Sequence, residues 1–375
     1  MLPLDTALEL NRPHTVRFGS DTLSTLPAWV QDQGYRRPFV VADPVNAARV
    51  GLLGIDPAAV FGAVRGEPDL RMLEAALAQV ADADVVIGFG GGSAMDLAKL
   101  VAVLAASDLT LDDISGPGRA PKRKLGLVQV PTTAGTGSEV GTRALITDPT
   151  THAKIATESP HLLADLAIID PTLTVSVPAP ITATTGIDAL AHCVEAFTSK
   201  RAHPVIDAYA LEGIKLVGAY LHRAVADGTD LEARAGLALA SFYGGICLGP
   251  VNTTAGHAVA YPLGTRFGLP HGLANTLIFP HTLAVNAPAA REKSLSICAA
   301  LGQPVSDIGQ VRIAARHYCE SLGVDMTLSA HGVPEIAFDT LAKDAHAIRR
   351  LLDWNPVDLT QDDIRKIYEA AENAA

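Results

Sequence analysis

Asp188 and His192 lie four residues apart in Thr185-Gly186-Ile187-Asp188-Ala189-Leu190-Ala191-His192-Cys193-Val194-Glu195. On a helix, that spacing puts a carboxylate and an imidazole on one face. Taken alone, the pair reads more simply as an aspartate favoured by the dipole of a helix start and a satisfied core histidine. Two further histidines, His257 and His271, enlarge the set. Pro262, Gly264, Gly268 and Pro270 lie between them, so one uninterrupted helix cannot carry both. A bend would turn His271 back toward His257. Three nitrogens and one oxygen suit a divalent first-row metal, Fe(II) or Zn(II), with positions left open for a substrate. Residue chemistry does not choose between the two. His14, His152, His203, His222, His317, His331 and His346 are scattered and read as surface or core.

A second chemistry lies in two glycine- and hydroxyl-rich stretches. After the apolar run at Val85 comes Gly88-Phe89-Gly90-Gly91-Gly92-Ser93 and then a helical pattern. Ser93 breaks the G-x-G-x-x-G dinucleotide fingerprint, and the Walker pattern fails as well. Consecutive glycines still let the backbone approach a phosphate, and amides at a helix start point toward an anion. Ser93 can cap that helix or donate to a phosphate oxygen. The second stretch, Pro131-Thr132-Thr133-Ala134-Gly135-Thr136-Gly137-Ser138-Glu139, follows another apolar run. Two such loops at the ends of parallel strands fit the usual ligand position in open α/β sheets. Asp43, at the end of an earlier run, could accept from a ribose 2′-hydroxyl or simply start the turn at Pro44.

The elements that must carry these groups change character along the chain. Phe39–Asp43, Val85–Gly88, Leu125–Val130 and Leu166–Ile169 read as buried strands, alternating with helices at 71–80 and 94–106. Continuous apolar strands between helices indicate a parallel sheet covered on both faces. Beyond the cluster at Val175–Pro180, helical patterns take over at 181–199, 204–226, 230–247 and 312–322. The expected organisation is an α/β domain at 1–178 and a helical domain at 179–375, with a ligand cleft at their junction.

Composition narrows the function classes. Of 375 residues, 48% are hydrophobic and 18% charged, which excludes a disordered chain. With 29 lysines and arginines against 40 acidic residues, the net charge of −11 disfavours nucleic acid and anionic membrane as partners. Cys193, Cys247, Cys298 and Cys319 form no CxxC pair. No signal peptide is read at the N-terminus, so a reduced cytoplasmic setting is expected. The uncharged run 235–256 is long enough to span a bilayer. Its six glycines and prolines and its polar tail point to a buried helix leading to His257 instead.

Gly90-Gly-Gly-Ser-x-x-Asp-x-Ala-Lys99, Pro131–Glu139, Gly186-x-Asp-Ala-x-x-His192 and the segment from His257 to Pro270-His-Gly272 together resemble the iron-containing (group III) alcohol dehydrogenase family. The resemblance runs from Phe18 to Asn355-Pro356. It implies a Rossmann-like dinucleotide-binding domain followed by an all-α metal-binding domain, the architecture shared with dehydroquinate synthases. It implies Asp188, His192, His257 and His271 as metal ligands, with Fe2+ expected and Zn2+ or another divalent ion as alternatives. On the cofactor side it implies Gly91, Gly92 and Ser93 at the pyrophosphate, Thr132, Thr133 and Thr136 on the second loop, and Lys154 nearby. Asp43 matches the acid associated with NAD in preference to NADP.

One position departs from the pattern. Many members carry a histidine where this chain has Tyr261. A phenol can still relay a proton, although it titrates near pH ~10 rather than ~6.5. Tyrosine there also looks like hydroxyacid–oxoacid transhydrogenases. Maleylacetate reductases share the overall pattern, and Asp188 favours the metal-dependent branch over them. The expected reaction is hydride transfer between a small alcohol or hydroxy acid and NAD. A dehydroquinate synthase-like lyase would need clustered cations, of which 181–275 offers mainly Lys200, Arg201 and Arg266. A non-catalytic sensor is the remaining class. Arg266 could pair with a substrate carboxylate, but an arginine on a loop reads more simply as a solvated charge. The resemblance also implies a homo-oligomer, commonly a dimer.

Overall fold

A computed structural model describes residues 5–105, 107–150 and 154–373, so His152 lies outside the described residues. The described chain divides into two compact units: residues 10–133 with 137–176, and residues 5–9, 134–136 and 177–373.

The first unit is built on strands β1 (Thr15–Phe18), β2 (Pro38–Ala42), β3 (Ala59–Phe61), β4 (Val85–Gly90), β5 (Gly116–Pro117), β6 (Gly126–Pro131), β7 (Arg143–Thr147), β8 (Lys154–Glu158) and β9 (Leu166–Ile169). Helices α1 (Leu26–Asp32), α2 (Pro44–Ala47), α3 (Leu70–Leu77), α4 (Gly92–Leu104) and α5 (Leu111–Ile114) intervene. Six strands form one sheet in the order β1-β9-β6-β4-β2-β3, every neighbouring pair parallel.

Alternate side chains of one strand point to opposite faces. Phe39 and Val41 accordingly join one apolar cluster and Val40 and Ala42 another, and all four are fully buried. Helices cover both faces, so these strands read as unbroken apolar runs. Helix α4 buries Leu97, Leu100, Val101 and Leu104, each contributing roughly 1.5–3 kcal/mol relative to exposure. The register pairs Ala42 with Phe89 and Gly90 with Pro131. The loops that follow β2, β4 and β6 therefore leave the sheet side by side. A small second sheet, β5-β8-β7, contains one antiparallel pair, β7 with β8.

The second unit is helical: α6 (Ala179–Thr198), α7 (Pro204–Ala226), α8 (Leu231–Leu248), α9 (Ala255–Phe267), α10 (His271–Asn286), α11 (Arg291–Ala300), α12 (Val311–Glu320), α13 (Phe338–His346), α14 (Arg349–Leu352) and α15 (Gln361–Glu372). The uncharged run divides between α8, the turn after it and the start of α9. Among the described residues, no helix is long and apolar enough to cross a membrane.

Candidate metal and cofactor sites

Four side chains converge inside the helical unit. Asp188 and His192 come from α6 and His257 from the first turn of α9. Gly268 ends α9 in the left-handed conformation (φ 70°), and α10 starts at His271 directly after Pro270. One donor atom from each of the four lies within 4.8 Å of the others. Asp188 Oδ1 is 3.4 Å from His271 Nε2, 3.6 Å from His257 Nε2 and 3.9 Å from His192 Nε2. The Nε2 atoms of His192 and His257 are 3.0 Å apart. Donors bonded at ~2.1 Å to one ion stand roughly 3.0–3.4 Å from each other, so the set fits a divalent cation with little adjustment. Asp188, His192 and His257 are buried and His271 is half-buried, which leaves access at one ligand.

The other ring nitrogens are held by groups to which the sequence alone assigns no role. His192 Nδ1 is 3.2 Å from the carbonyl of Gly135, in the short 134–136 segment that belongs to this unit. A Cβ on Gly135 would come within 2.9 Å of both Cβ and the carbonyl oxygen of Thr185, so the approach requires glycine. His257 Nδ1 is 2.5 Å from Oε1 of the buried Glu195. Asn275, one turn after His271, places Nδ2 2.6 Å from Asp188 Oδ1, 3.1 Å from His257 Nε2 and 3.2 Å from His271 Nε2. The i, i+4 spacing of His271 and Asn275 was the available signal.

Burial and mutual charge set the protonation tendencies. Burial alone would raise the Asp188 carboxyl, but three imidazoles around it hold it far below the usual range. Burial lowers His192 to about 4, with Asp188 opposing and the neighbouring imidazoles assisting. For His257 burial is outweighed by Glu195 and Asp188, and its imidazole is raised.

Tyr261 lies one turn after His257 on α9 and is buried. Its ring centroid is 6.1 Å from that of His257 and 5.8 Å from that of His271. The candidate cations are engaged elsewhere. Arg266 pairs with Asp344, Lys200 with Asp358, and Arg201 stacks over Trp354. Of the two readings of Arg266, this exposed pairing supports the solvated charge rather than a contact with a substrate carboxylate.

In the sheet unit, Gly91 is the N-cap of α4, and Gly92 and Ser93 form its first turn. Ser93 is therefore not the cap: the chain turns helical one residue before it. First-turn amides have no carbonyl partner within their own helix, so they can meet an anion. Asp43 caps α2, its Oδ1 accepting from the amides of Val45 (2.9 Å) and Asn46 (3.1 Å). Its Oδ2 accepts from Asn46 Nδ2 at 2.6 Å, and the same amide group donates to Thr132 Oγ1 at 3.1 Å. Asp43 and Thr132 are thus joined through Asn46. Thr133 approaches Gly91 from the neighbouring loop. Thr136 falls in the segment grouped with the helical unit.

Lys154 opens β8 and forms an ion pair with Glu67; at 11% side-chain exposure it is no solvated surface charge. A further buried cation, Lys99, donates to Ser138 Oγ (2.8 Å) and the Arg143 carbonyl (2.7 Å) and lies 3.3 Å from Asp96 Oδ1. Those bonds tie the end of the threonine loop to α4.

Comparison with known proteins agrees with this architecture. A family model described as iron-containing alcohol dehydrogenase matches residues 13–171, and one described as the C-terminal part of the Fe-containing alcohol dehydrogenase family matches 182–372. Long-chain-alcohol dehydrogenase 1 of Geobacillus thermodenitrificans is 38% identical over 379 residues, 96% of this chain and 95% of that one. Among solved structures, a 1,3-propanediol oxidoreductase superposes with a TM-score of 0.91 at 30% identity, covering 98% of this chain and 100% of its own. A sulfoacetaldehyde reductase from Bifidobacterium kashiwanohense in complex with NAD+ gives 0.88 at 29%, covering 99% and 100%.

Proposed function

The chain belongs to the iron-containing alcohol dehydrogenase family, and from that premise we propose that it oxidises small alcohols reversibly with NAD at a divalent metal held by Asp188, His192, His257 and His271. The observation that carries the reading is the convergence of one carboxylate and three imidazoles within 4.8 Å. A bound cation supplies Lewis acidity to the alcohol oxygen, and a bound nicotinamide supplies the hydride acceptor. Fe2+ is the assigned ion, supported by the family's description.

The residues divide the remaining work. Glu195 and the Gly135 carbonyl fix the two buried imidazoles with Nε2 turned inward. Tyr261, beside two of the ligands, is the group assigned to carry the alcohol proton away. The first-turn amides of Gly92 and Ser93, with Gly91, receive the pyrophosphate. Thr132, Thr133 and Thr136 supply hydroxyls, and Lys154, positioned by Glu67, supplies a cation. Asp43 accepts from the ribose hydroxyl, which makes NAD rather than NADP the cofactor. Four free, buried cysteines support a reduced, cytoplasmic setting. The homo-oligomer expected from the resemblance is checked by the mass of the protein in solution.

His271→Ala tests the metal assignment, because His271 is the least buried ligand and its loss costs the fold least. Metal content and alcohol-dependent NADH formation are expected to fall together. A variant with full metal content and unchanged turnover refutes the assignment.

A further inference from the structure

Glu195 is buried at 6% exposure and uses both carboxylate oxygens on a single neighbour, the start of α9. Oε1 lies 2.5 Å from His257 Nδ1. Oε2 accepts from the amide of Thr254 at 2.6 Å, from its hydroxyl at 3.2 Å and from the amide of His257 at 3.3 Å. Thr254 is the N-cap of α9, but its own side chain makes no cap bond. The carboxylate from α6 therefore caps the helix that carries His257 and grips its imidazole in the same stroke.

Gly256 is part of this arrangement. A Cβ there would stand 2.6 Å from Glu195 Oε1 and 2.8 Å from its Cδ. No side chain larger than hydrogen fits without moving the carboxylate.

We propose that Glu195 is a positioning residue for the metal centre: by accepting the Nδ1 proton of His257 it selects the tautomer whose Nε2 lone pair faces Asp188 and the other imidazoles. The proposal rests on the metal reading above. An anionic acceptor on the remote nitrogen also makes the ligating nitrogen a better donor. Selection follows from the hydrogen-bond inventory. A carboxylate only accepts, so Nδ1 carries the hydrogen, and in the neutral imidazole that a metal ligates Nε2 is then left with its lone pair. A glutamine of the same shape loses that certainty. If its oxygen stays on the Thr254 amide, its NH2 faces Nδ1 and forces the hydrogen onto Nε2. If it turns over, the NH2 meets the Thr254 N–H, donor against donor.

The test measures Co2+ and Zn2+ binding by competition with a chromophoric chelator, on the full chain of wild type, Glu195→Gln and Gly256→Ala. Thermal midpoints in excess chelator are recorded in parallel, together with the visible spectrum of the Co2+ form. The expected result is a loss of roughly 10- to 100-fold in metal affinity for both variants and an altered Co2+ spectrum. Equal affinity and an unchanged spectrum in Glu195→Gln overturn the proposal. A lowered midpoint in chelator with unchanged affinity also overturns it, because Glu195 would then act only as a helix cap. If Glu195→Gln fails to fold, Gly256→Ala carries the same two outcomes. Wild type that binds neither ion overturns the metal reading itself, which separates that failure from a failure confined to Glu195.

Discussion

Replacing Asp43 by asparagine separates its two jobs. As the cap of α2 its Oδ1 accepts from Val45 and Asn46, and asparagine caps about as well as aspartate. Its Oδ2 faces Asn46 Nδ2, so the new amide would set donor against donor. Asn46 can relieve this, because its own Oδ1 is buried without a partner among the described residues. Turning the Asn46 amide over presents that oxygen to the introduced NH2 group and to the Thr132 hydroxyl. The fold should therefore tolerate Asp43→Asn, and the change reduces to one lost charge.

The magnitude follows from that charge. A ribose 2′-phosphate carries about −1.5 near neutral pH. At about 4.5 Å, with an effective dielectric of about 40–80, a carboxylate repels it by roughly 1.4–2.8 kcal/mol. Removing the charge then improves kcat/KM for NADP about 10- to 100-fold. NAD loses the difference between a charged and a neutral hydrogen bond, about 1 kcal/mol or ~5-fold. The NADP-to-NAD ratio of kcat/KM should rise about 50- to 500-fold. The assay is initial-rate alcohol oxidation at saturating alcohol with each cofactor varied. A ratio within twofold of wild type, in a variant of unchanged thermal midpoint, refutes the placement of Asp43 at the ribose.

Two further outcomes are expected. Lys99→Met leaves Asp96 and Ser138 without their buried ammonium and costs on the order of 3 kcal/mol; NAD affinity by calorimetry should weaken while metal content holds, and unchanged NAD affinity refutes the role given to this tie. Among the described residues, buried His281 has no hydrogen-bond partner on either ring nitrogen, and burial with Arg316 and Arg312 lowers it to about 3. Because that lies below the unfolded value of ~6.5, the unfolded chain takes the proton first, and stability is lost as pH falls from ~6.5 toward 3 at up to ~1.4 kcal/mol per pH unit. Between pH 7.5 and 5.0 the loss is about 2 kcal/mol, and His281→Leu should abolish that share in denaturant titrations run with chelator; parallel pH dependences in the two proteins contradict the assignment.

What was legible in the sequence follows from where chemistry is local. β2, β4, β6 and β9 read directly because both of their faces are buried and the apolar runs are unbroken. β7 and β8 did not, since their side chains alternate between buried and half-exposed positions or lie mostly half-buried. β5 is two residues long and offers no period at all. Helix 204–226 matches α7 at both ends because Pro204 and the Asp227 junction punctuate it. In the candidate metal cluster, the ligand types and the i, i+4 spacing were visible, but the pair alone read as a helix-start aspartate and a core histidine until the resemblance joined it to His257 and His271. The groups that hold those ligands did not. Glu195 meets His257 from 62 residues away, and Gly135 acts through a carbonyl that every residue possesses. Such partners become visible only once the chain is folded.

Above all, alcohol oxidation by NAD should depend on the cation held by Asp188 and the three histidines. The most direct measurement is NADH formation from a panel of small alcohols by chelator-stripped protein, titrated anaerobically with Fe2+ and separately with Zn2+. The predicted result is a negligible rate in the stripped protein and activity that rises linearly to one metal per chain, with the same titration of His271→Ala remaining flat. Full turnover in the stripped protein, or a rate indifferent to metal added up to one per chain, would contradict it.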